Sequence, residues 1–409
     1  MAAPLDGIRV VDMSRVLAGP TCAQSLADLG ADVIKIERPG AGDDTRGWGP
    51  PFLKDRDGND TTDAAYYLAA NRGKRSVLAD LSIPAGQQLI RDLVSKSDVL
   101  IENFKVGQLA RYGLDYETLK KLNPGLVYCS VTGFGQNGPL AHRAGYDFVI
   151  QGMSGFMSIT GEADDQPGGG PQKAGVAISD LMTGMAATQG ILAALFHRER
   201  TGVGQYLDMA LLDVMVSALA NMNTNYLTSG KPPHRWGNAH PNVVPYQTFQ
   251  ASDGWIIVTA GNNEQFRRFC AAGGMAEVGE DLRFASNALR IKNRDQLIPL
   301  LAGMVAKKPA AQWISELEQV GVPCGPINDL RQAFENPQVV ARGLRIDIDR
   351  EDAGPVPMVG SPIRLSETPV NYKLPPPRLG EHTEQVLRDT LGYDSSAITA
   401  YLKTVKTND

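Results

Sequence analysis

Short β-branched runs alternate with longer helical stretches in the first half of the chain, and this alternation restricts the fold more than any other sequence feature. The runs are residues 8–13, 33–37, 76–81, 99–102 and 126–132. Between them, residues 21–29, 86–95 and 116–122 carry apolar side chains at three- and four-residue intervals, the spacing of helices that lay one face on a sheet. Strands separated by helices pair in parallel and are joined by right-handed crossovers. The expected fold class is therefore α/β. At 409 residues the chain is long enough for two domains.

Further along, residues 179–200 read as a helix of small side chains, with Gly184, Ala186, Ala187, Gly190, Ala193 and Ala194 permitting close backbone approach. Ser179 and Asp180 stand where capping residues belong, and Gly202 follows as a C-terminal stop. A second apolar helix is expected over 211–227, then an irregular connection over 229–245. Strands at 246–249 and 255–259 flank a Ser252-Asp253-Gly254 turn, and helices follow to about residue 319. These elements suit a second, smaller domain. The Pro-rich stretch 354–377 leads the chain back to a final helix over 382–391.

Several functions are excluded by what is missing. A formal net charge of −5 supplies no long-range field for nucleic acid or anionic membrane, so an anionic ligand must meet local basic clusters. No run approaches a membrane span of roughly 18 to 20 apolar residues. The four cysteines form no C-x-x-C pair, which points to neither a metal site nor a disulfide framework. With no signal-peptide pattern at the start, the expected location is cytoplasmic. The first strand is followed by Ser14-Arg15-Val16-Leu17-Ala18-Gly19-Pro20, which lacks the glycine fingerprint of dinucleotide enzymes.

Asp180 has two readings, a helix cap or a nucleophile whose ionised form the helix N-terminus stabilises. Gly168, Gly169, Gly170 and Gly261 are candidate backbone donors for an oxyanion, because backbone without Cβ approaches a substrate closely. Ligands of open α/β sheets bind beyond the carboxyl ends of strands, where Arg38, Asn103, Phe104 and Lys105 belong. Arg72, Lys74, Arg75 and Arg111 add positive charge. The mixture suits a phosphate-rich ligand with a stackable base.

The motifs RVLAGP (15–20), GADVIKIERPG (30–40), NRGKRSV (71–77), ENF (102–104), VTGFGQNGP (131–139), RAGYD (143–147), SDLMTG (179–184) and LGEHT (379–383) resemble the class III CoA-transferases nearly end to end. That resemblance implies a Rossmann-like large domain with a parallel sheet, residues 1–228, completed by a C-terminal return over 336–409. It also implies a smaller α/β domain over 229–335 and an interlocked homodimer. The family nucleophile falls on Asp180. Family coenzyme A contacts fall on Leu17, Ala18, Arg38, Asn71, Arg72, Gly73, Lys74, Asn103, Phe104, Lys105, Arg111, Ala144, Gly145, Tyr146 and Asp147.

The implied activity is acyl-CoA:carboxylate CoA transfer, with acyl-CoA and small carboxylic acids as the binding partners and no tightly bound cofactor or metal. A racemase branch of the same fold carries a His where this chain has Tyr146, and a tyrosine is a poor base near neutral pH. Glu264 resembles the position of another racemase acid. A non-catalytic coenzyme A-binding protein is the further alternative. Where the formyl-CoA enzyme has a glycine run, this chain has Ala260-Gly261-Asn262-Asn263, which makes Gly261 and Asn262 substrate-site candidates. Segments 40–52, 235–247 and 321–329 look closest to the dicarboxylate branch, such as succinyl-CoA:glutarate CoA-transferase. A distal carboxylate calls for a planar cationic fork, which Arg46 or Arg235 could supply unless each is simply a loop arginine.

Overall fold

The computed structural model describes residues 3–405, and the β-branched runs of the sequence form its centre. Among the described residues, the main sheet has six parallel strands in the order Lys74–Leu78, Asp32–Glu37, Arg9–Asp12, Val99–Glu102, Val127–Thr132, Tyr206–Ala210. This is the doubly wound order of Rossmann-like sheets, with the direction of winding reversing between Arg9–Asp12 and Val99–Glu102. Val10 and Val11 point to opposite faces, as neighbouring strand residues must. Val11, Ile34, Val77 and Leu100 join the core under the Pro84–Ser95 helix, whereas Val10, Val33, Val99 and Cys129 join the core under Ala18–Asp28 and Ile178–Thr201.

Five differences from the sequence expectations emerge. The sixth strand, Tyr206–Ala210, has no β-branched residue, and its pairing with Val127–Thr132 decides its conformation. The expected strand at 76–81 is displaced to Lys74–Leu78, because Lys74 and Arg75 find Asp12 and Asp32 as partners and can enter the sheet. The apolar helix at 211–227 divides into Leu211–Ala218 and Ala220–Ser229, with Ala220, the first residue of the second, at φ 45°. The Pro-rich stretch opens with a strand, Gly354–Val359, antiparallel to Arg345–Arg350. Its Pro355 and Pro357 face outward while Val356 and Met358 pack inward, the arrangement a two-stranded ribbon tolerates. At the C-terminus, a π-helical turn Val386–Leu391 is followed by an unanticipated helix, Ser395–Val405, whose Ile398 and Tyr401 enter the sheet core.

The small-residue helix spans Ile178–Thr201 and ends at Gly202 in the left-handed conformation, as expected. A Cβ added to Gly184 would lie 2.7 Å from the carbonyl oxygen of Ala18 and 3.0 Å from Thr21 Cβ. Glycine there lets this helix press against the start of Ala18–Asp28.

The chain divides into two compact units. One holds the chain through Phe156, then Ala174–Leu227, and the part from Gln338 onward; the other holds Met157–Lys173 and Thr228–Pro337. Residues 157–173, which the sequence reading left in the large domain, join the smaller unit because they bond to it: Gly237 donates to the Gly161 carbonyl, and Arg235 to the Glu162 carbonyl. The smaller unit carries a three-stranded antiparallel sheet in the order Cys324–Pro326, Trp255–Thr259, Tyr246–Gln250. Phe249, Phe269 and Trp313 pack beneath it. No helix among the described residues is long and apolar enough to cross a membrane.

In the larger unit, a buried ionic cluster ties the early loops to the returning C-terminal segment. Arg46 bonds Glu37, Asp63, the Tyr67 hydroxyl and the Pro377 carbonyl, and Arg350 bonds the other oxygen of Asp63 at 2.7 Å. Removing a shared carboxylate would leave two buried guanidinium groups short of a partner. Asp63→Ala is expected to lower unfolding free energy by about 3–5 kcal/mol, measured by urea denaturation. An unchanged midpoint would show that the cluster does not hold the return segment.

Candidate active site

Where the winding of the sheet reverses, the chain leaves Arg9–Asp12 through Met13 to Leu17 and leaves Val99–Glu102 through Asn103 to Lys105. The two turns diverge there and leave a crevice. A cavity of about 240 Å³ opens between them, lined by Leu17, Ala18, Asn103, Phe104 and Lys105 on one side and by Ala144, Gly145, Tyr146, Asp147 and Asp180 on the other. These sequence candidates are thus brought together. A second cavity of about 270 Å³ shares Arg15, Phe104 and Gln108 with the first and extends to Arg38, Tyr112 and residues 79–82.

The first wall depends on a strained turn. Val16 adopts φ 70°, a left-handed conformation that a β-branched residue rarely enters. The Asn103 side chain holds this turn from both sides, accepting from Arg15 N at 3.0 Å and donating to Arg15 O at 2.7 Å. From below, buried Lys35 donates to the Ser14 carbonyl at 3.1 Å and to Asp43 at 2.9 Å, while Asp43 accepts from Val16 N at 3.3 Å. Burial works against the Asp43 charge, yet Lys35 and the Thr45 donors hold its carboxyl down at about 2. Leu17 and Ala18 follow the turn into the helix that Gly184 abuts.

Asp180 sits in the first turn of Ile178–Thr201 but does not cap it. Asp147 does so from outside the helix, its Oδ1 accepting from Ser179 N at 2.8 Å and from Ser179 Oγ at 2.6 Å. The Asp180 carboxyl is left to line the cavity. Burial and then the Asp147 charge push its pKa up to about 7. This corrects the expectation that the helix N-terminus keeps Asp180 fully ionised: desolvation and a neighbouring anion outweigh a helix-end effect of roughly 0.3–1 kcal/mol. Tyr66 belongs to the same field, since burial and then the charges of Asp180, Asp147 and Asp43 raise its hydroxyl pKa and keep it a neutral donor. Its ring meets Trp48 edge-on at 5.2 Å. The rim is basic, with Arg15 and Arg38 both reaching Asp44 and with Lys105, His142 and Arg143 beside them.

Other candidates lie elsewhere. Lys74 is fully buried and donates to Asp12, Asn71 and the Pro20 carbonyl. Asn71 also donates to the Tyr67 carbonyl, Arg72 pairs with Asp28, and Gly73 N bonds the Leu374 carbonyl. These four residues lie toward the amino end of their strand, away from the cleft, and residues 79–82 stand at its carboxyl end instead. Arg111 is exposed on the Leu109–Tyr112 turn, whose Tyr112 is the residue that lines the second cavity.

Arg46 is committed to Glu37 and Asp63 and stacks 3.8 Å from the Tyr67 ring centroid, so it cannot receive a substrate carboxylate. Arg235 is likewise engaged, by Asp164 and the carbonyls of Glu162 and Ser158. Gly169 N and Gly170 N donate to the Gln166 and Glu162 carbonyls, and Gly261 N to Gln265 Oε1, so these amides are not free to meet an oxyanion. Gly261 and Asn262 lie in the smaller unit, where Asn262 caps Asn263–Ala272, and Glu264 pairs with Arg268. Sequence reasoning missed Arg15, Val16, Asp43, Asp44 and Tyr66. Arg15 and Val16 stand inside a quoted motif, but nothing in the residue type of Val16 signals a left-handed backbone.

The chain is similar to known proteins over nearly its whole length. The family model "CoA-transferase family III" matches residues 5–383. The succinate–glutarate CoA-transferase of Agrobacterium fabrum is 53% identical over 386 residues, covering 94% of this chain and 95% of that protein. The human succinyl-CoA:glutarate CoA-transferase is 42% identical over 395 residues, covering 97% of this chain and 88% of that protein. Among solved structures, a CAIB/BAIF family protein from Brucella suis superposes with a TM-score of 0.84 at 48% identity, covering 96% of this chain and all of that one.

The position of Asp180 has a thermodynamic consequence. Its pKa is about 7 folded against an ordinary value of 3.8, so the folded state holds the proton more tightly. The stability this contributes is full below the ordinary value and is lost as pH rises through about 7. Asp180→Asn, which is neutral throughout, is expected to be more stable than the parent by about 4 kcal/mol at pH 8.5 and by about 1–2 kcal/mol at pH 5, where the unfolded Asp180 is already ionised. Denaturation at the two pH values tests this, and a variant equally or less stable at pH 8.5 would contradict the buried, anion-facing placement.

Proposed function

The chain belongs to CoA-transferase family III, and from that premise we propose that it transfers coenzyme A from succinyl-CoA to glutarate through covalent intermediates on Asp180. The observation that carries the proposal is an uncapped, half-buried carboxyl lining a cleft at the carboxyl ends of the sheet. The substrate pair comes from the relatives named for it. The ligand's nucleotide end suits the second cavity, where Arg38 can meet phosphate and Phe104 offers a flat face, with Lys105 available from the adjoining first cavity. Anchoring there holds the thioester against Asp180 and spends binding energy away from the bond that breaks.

The ionised Asp180 oxygen attacks the succinyl carbonyl carbon; the C–S bond breaks, giving a succinyl-aspartyl anhydride and coenzyme A thiolate. The thiolate attacks the aspartyl carbonyl and displaces succinate, leaving an aspartyl-CoA thioester. Glutarate attacks that thioester and forms a second anhydride with release of the thiolate. Attack of the thiolate on the glutaryl carbonyl then gives glutaryl-CoA and restores Asp180. Protons balance without a metal or redox partner, since carboxylates and thiolate exchange places. Asp147 tunes the nucleophile: a higher pKa makes the carboxylate more basic, at the cost of a smaller ionised fraction. The reading extends to a homodimer. Tyr146, Phe148, Met185 and Phe196 stand exposed on the larger unit, and an apolar surface of this kind suits a second copy.

Incubation with succinyl-CoA is expected to leave a hydroxylamine-sensitive adduct on the peptide carrying Asp180, seen by mass spectrometry. Asp180→Ala should lose that adduct and reduce turnover by roughly 10³-fold or more. In an acceptor panel of glutarate, succinate, oxalate, formate and carnitine, glutarate should lead. Preference for formate or carnitine would remove the dicarboxylate assignment, and full activity in Asp180→Ala would remove the mechanism.

The pH profile gives a separate check. Because the anion attacks, kcat/KM is expected to rise about tenfold per pH unit below an inflection set by the Asp180 pKa of about 7, then level off. Asp147→Asn removes the neighbouring negative charge, so its inflection should move to lower pH. An unmoved inflection would show that Asp147 does not act on the nucleophile.

A further inference from the structure

Glu102 ends the Val99–Glu102 strand, directly before the turn that supplies Asn103, Phe104 and Lys105 to the cleft. It is 6% exposed, and among the described residues no cation is bonded to it. Its Oε2 accepts from Phe104 N at 2.7 Å, closing the turn on itself. Ser130 of Val127–Thr132 is its cross-strand neighbour and favours its charged form, and Ser130 Oγ in turn accepts from Gln136 Nε2 at 2.8 Å. Behind Phe104 and Lys105, on the side away from Asp180, lies a cavity of about 170 Å³ lined by Glu102, Gln136, Tyr116, Tyr128 and Tyr206. On that side the turn borders space, Phe104 rests on the sheet core, and the Glu102 carboxylate bonds the inner edge of the turn.

We propose that Glu102 is a positioning residue: its carboxylate sets the Asn103–Phe104–Lys105 turn for acyl-CoA, and protonation of that carboxylate loosens the turn and weakens acyl-CoA binding. The groups facing it from the surrounding elements are Asp208 and Tyr206 on the Tyr206–Ala210 strand, Tyr128 and Ser130 on Val127–Thr132, and Asp115 and Lys105 across the cavity. Burial, with a further contribution from Asp208, raises the pKa of Glu102 to about 7 against the lowering effect of Ser130 and Phe104 N. A charged acceptor bonds an amide N–H more strongly than a neutral carboxyl does, which gives the effect its direction. Asn103, whose side chain grips the Val16 turn, carries the change along that wall of the cleft.

The inference rests on the reading that this turn meets acyl-CoA, and its test separates the two. Succinyl-CoA lacking the 3′-phosphate removes one titrating group of the ligand, and an Asp180→Asn background removes turnover and the titration of the nucleophile. In that background, dissociation constants measured calorimetrically should rise about three- to tenfold between pH 8 and pH 6. Adding Glu102→Gln should raise the constant by a similar factor at pH 8 and flatten its pH dependence. Adding Ser130→Ala instead removes a donor that favours the carboxylate, so the inflection should move to higher pH. Retention of the parent pH dependence by the Glu102→Gln protein would overturn the proposal, as would an unmoved inflection in Ser130→Ala. Failure of the background protein to bind at any pH would instead overturn the acyl-CoA reading of the cleft.

Discussion

The cleft depends on charges that the fold takes out of water and pairs beneath the carboxyl ends of its strands. Lys35 and Asp43 are a buried pair, and each also holds backbone of the Ser14-to-Val16 turn. Asp12 bonds Lys74, while Glu37 bonds Arg46. Such pairs contribute little net stability, since desolvation cancels much of the attraction, but breaking one leaves an uncompensated buried charge. Their geometric effect is specific: they hold Val16 in a conformation its side chain disfavours and fix the loop over residues 43–47. A softer, apolar packing at these strand ends would let the turn relax and the cleft wall with it.

Against that rigid wall the Asp180 helix is placed by the absence of a side chain. Gly184 allows its backbone to meet Ala18, and Asp147 takes over the capping that Asp180 would otherwise perform. The nucleophile candidate is thereby left without a structural duty. The same neighbour that relieves it also adds to the effect of burial in raising its proton affinity. Glu102 repeats the principle on the opposite wall: a buried carboxyl whose pKa burial raises to about 7, bonded to the backbone of a cleft-lining turn.

The early strands, the crossover helices and the long small-residue helix were legible because period and composition are local properties. Asp180, Asn103, Phe104 and Lys105 were legible because strand ends and helix starts can be placed from such patterns. The basic cluster at Asn71 to Lys74 misled. Lysine and arginine ahead of a strand look like a phosphate site, and only the acidic partners Asp12 and Asp28, brought from 62 and 44 residues away, show that these charges are spent internally. Arg46 and Arg235 misled in the same way. The helix-end argument for Asp180 was sound as far as it went but lacked Asp147, which lies 33 positions earlier in the chain.

By itself the sequence determined the α/β class and the family, and it singled out Asp180 as the candidate nucleophile. Those follow from local periodicity and from motifs whose residues are close together along the chain. Tertiary structure alone decided which arginines are free, which amides are already bonded, that Val16 is strained, and that Asp180 titrates near neutrality. Each of these depends on burial and on partners distant in sequence, and a charge has no fixed chemistry until its surroundings set the cost of keeping it.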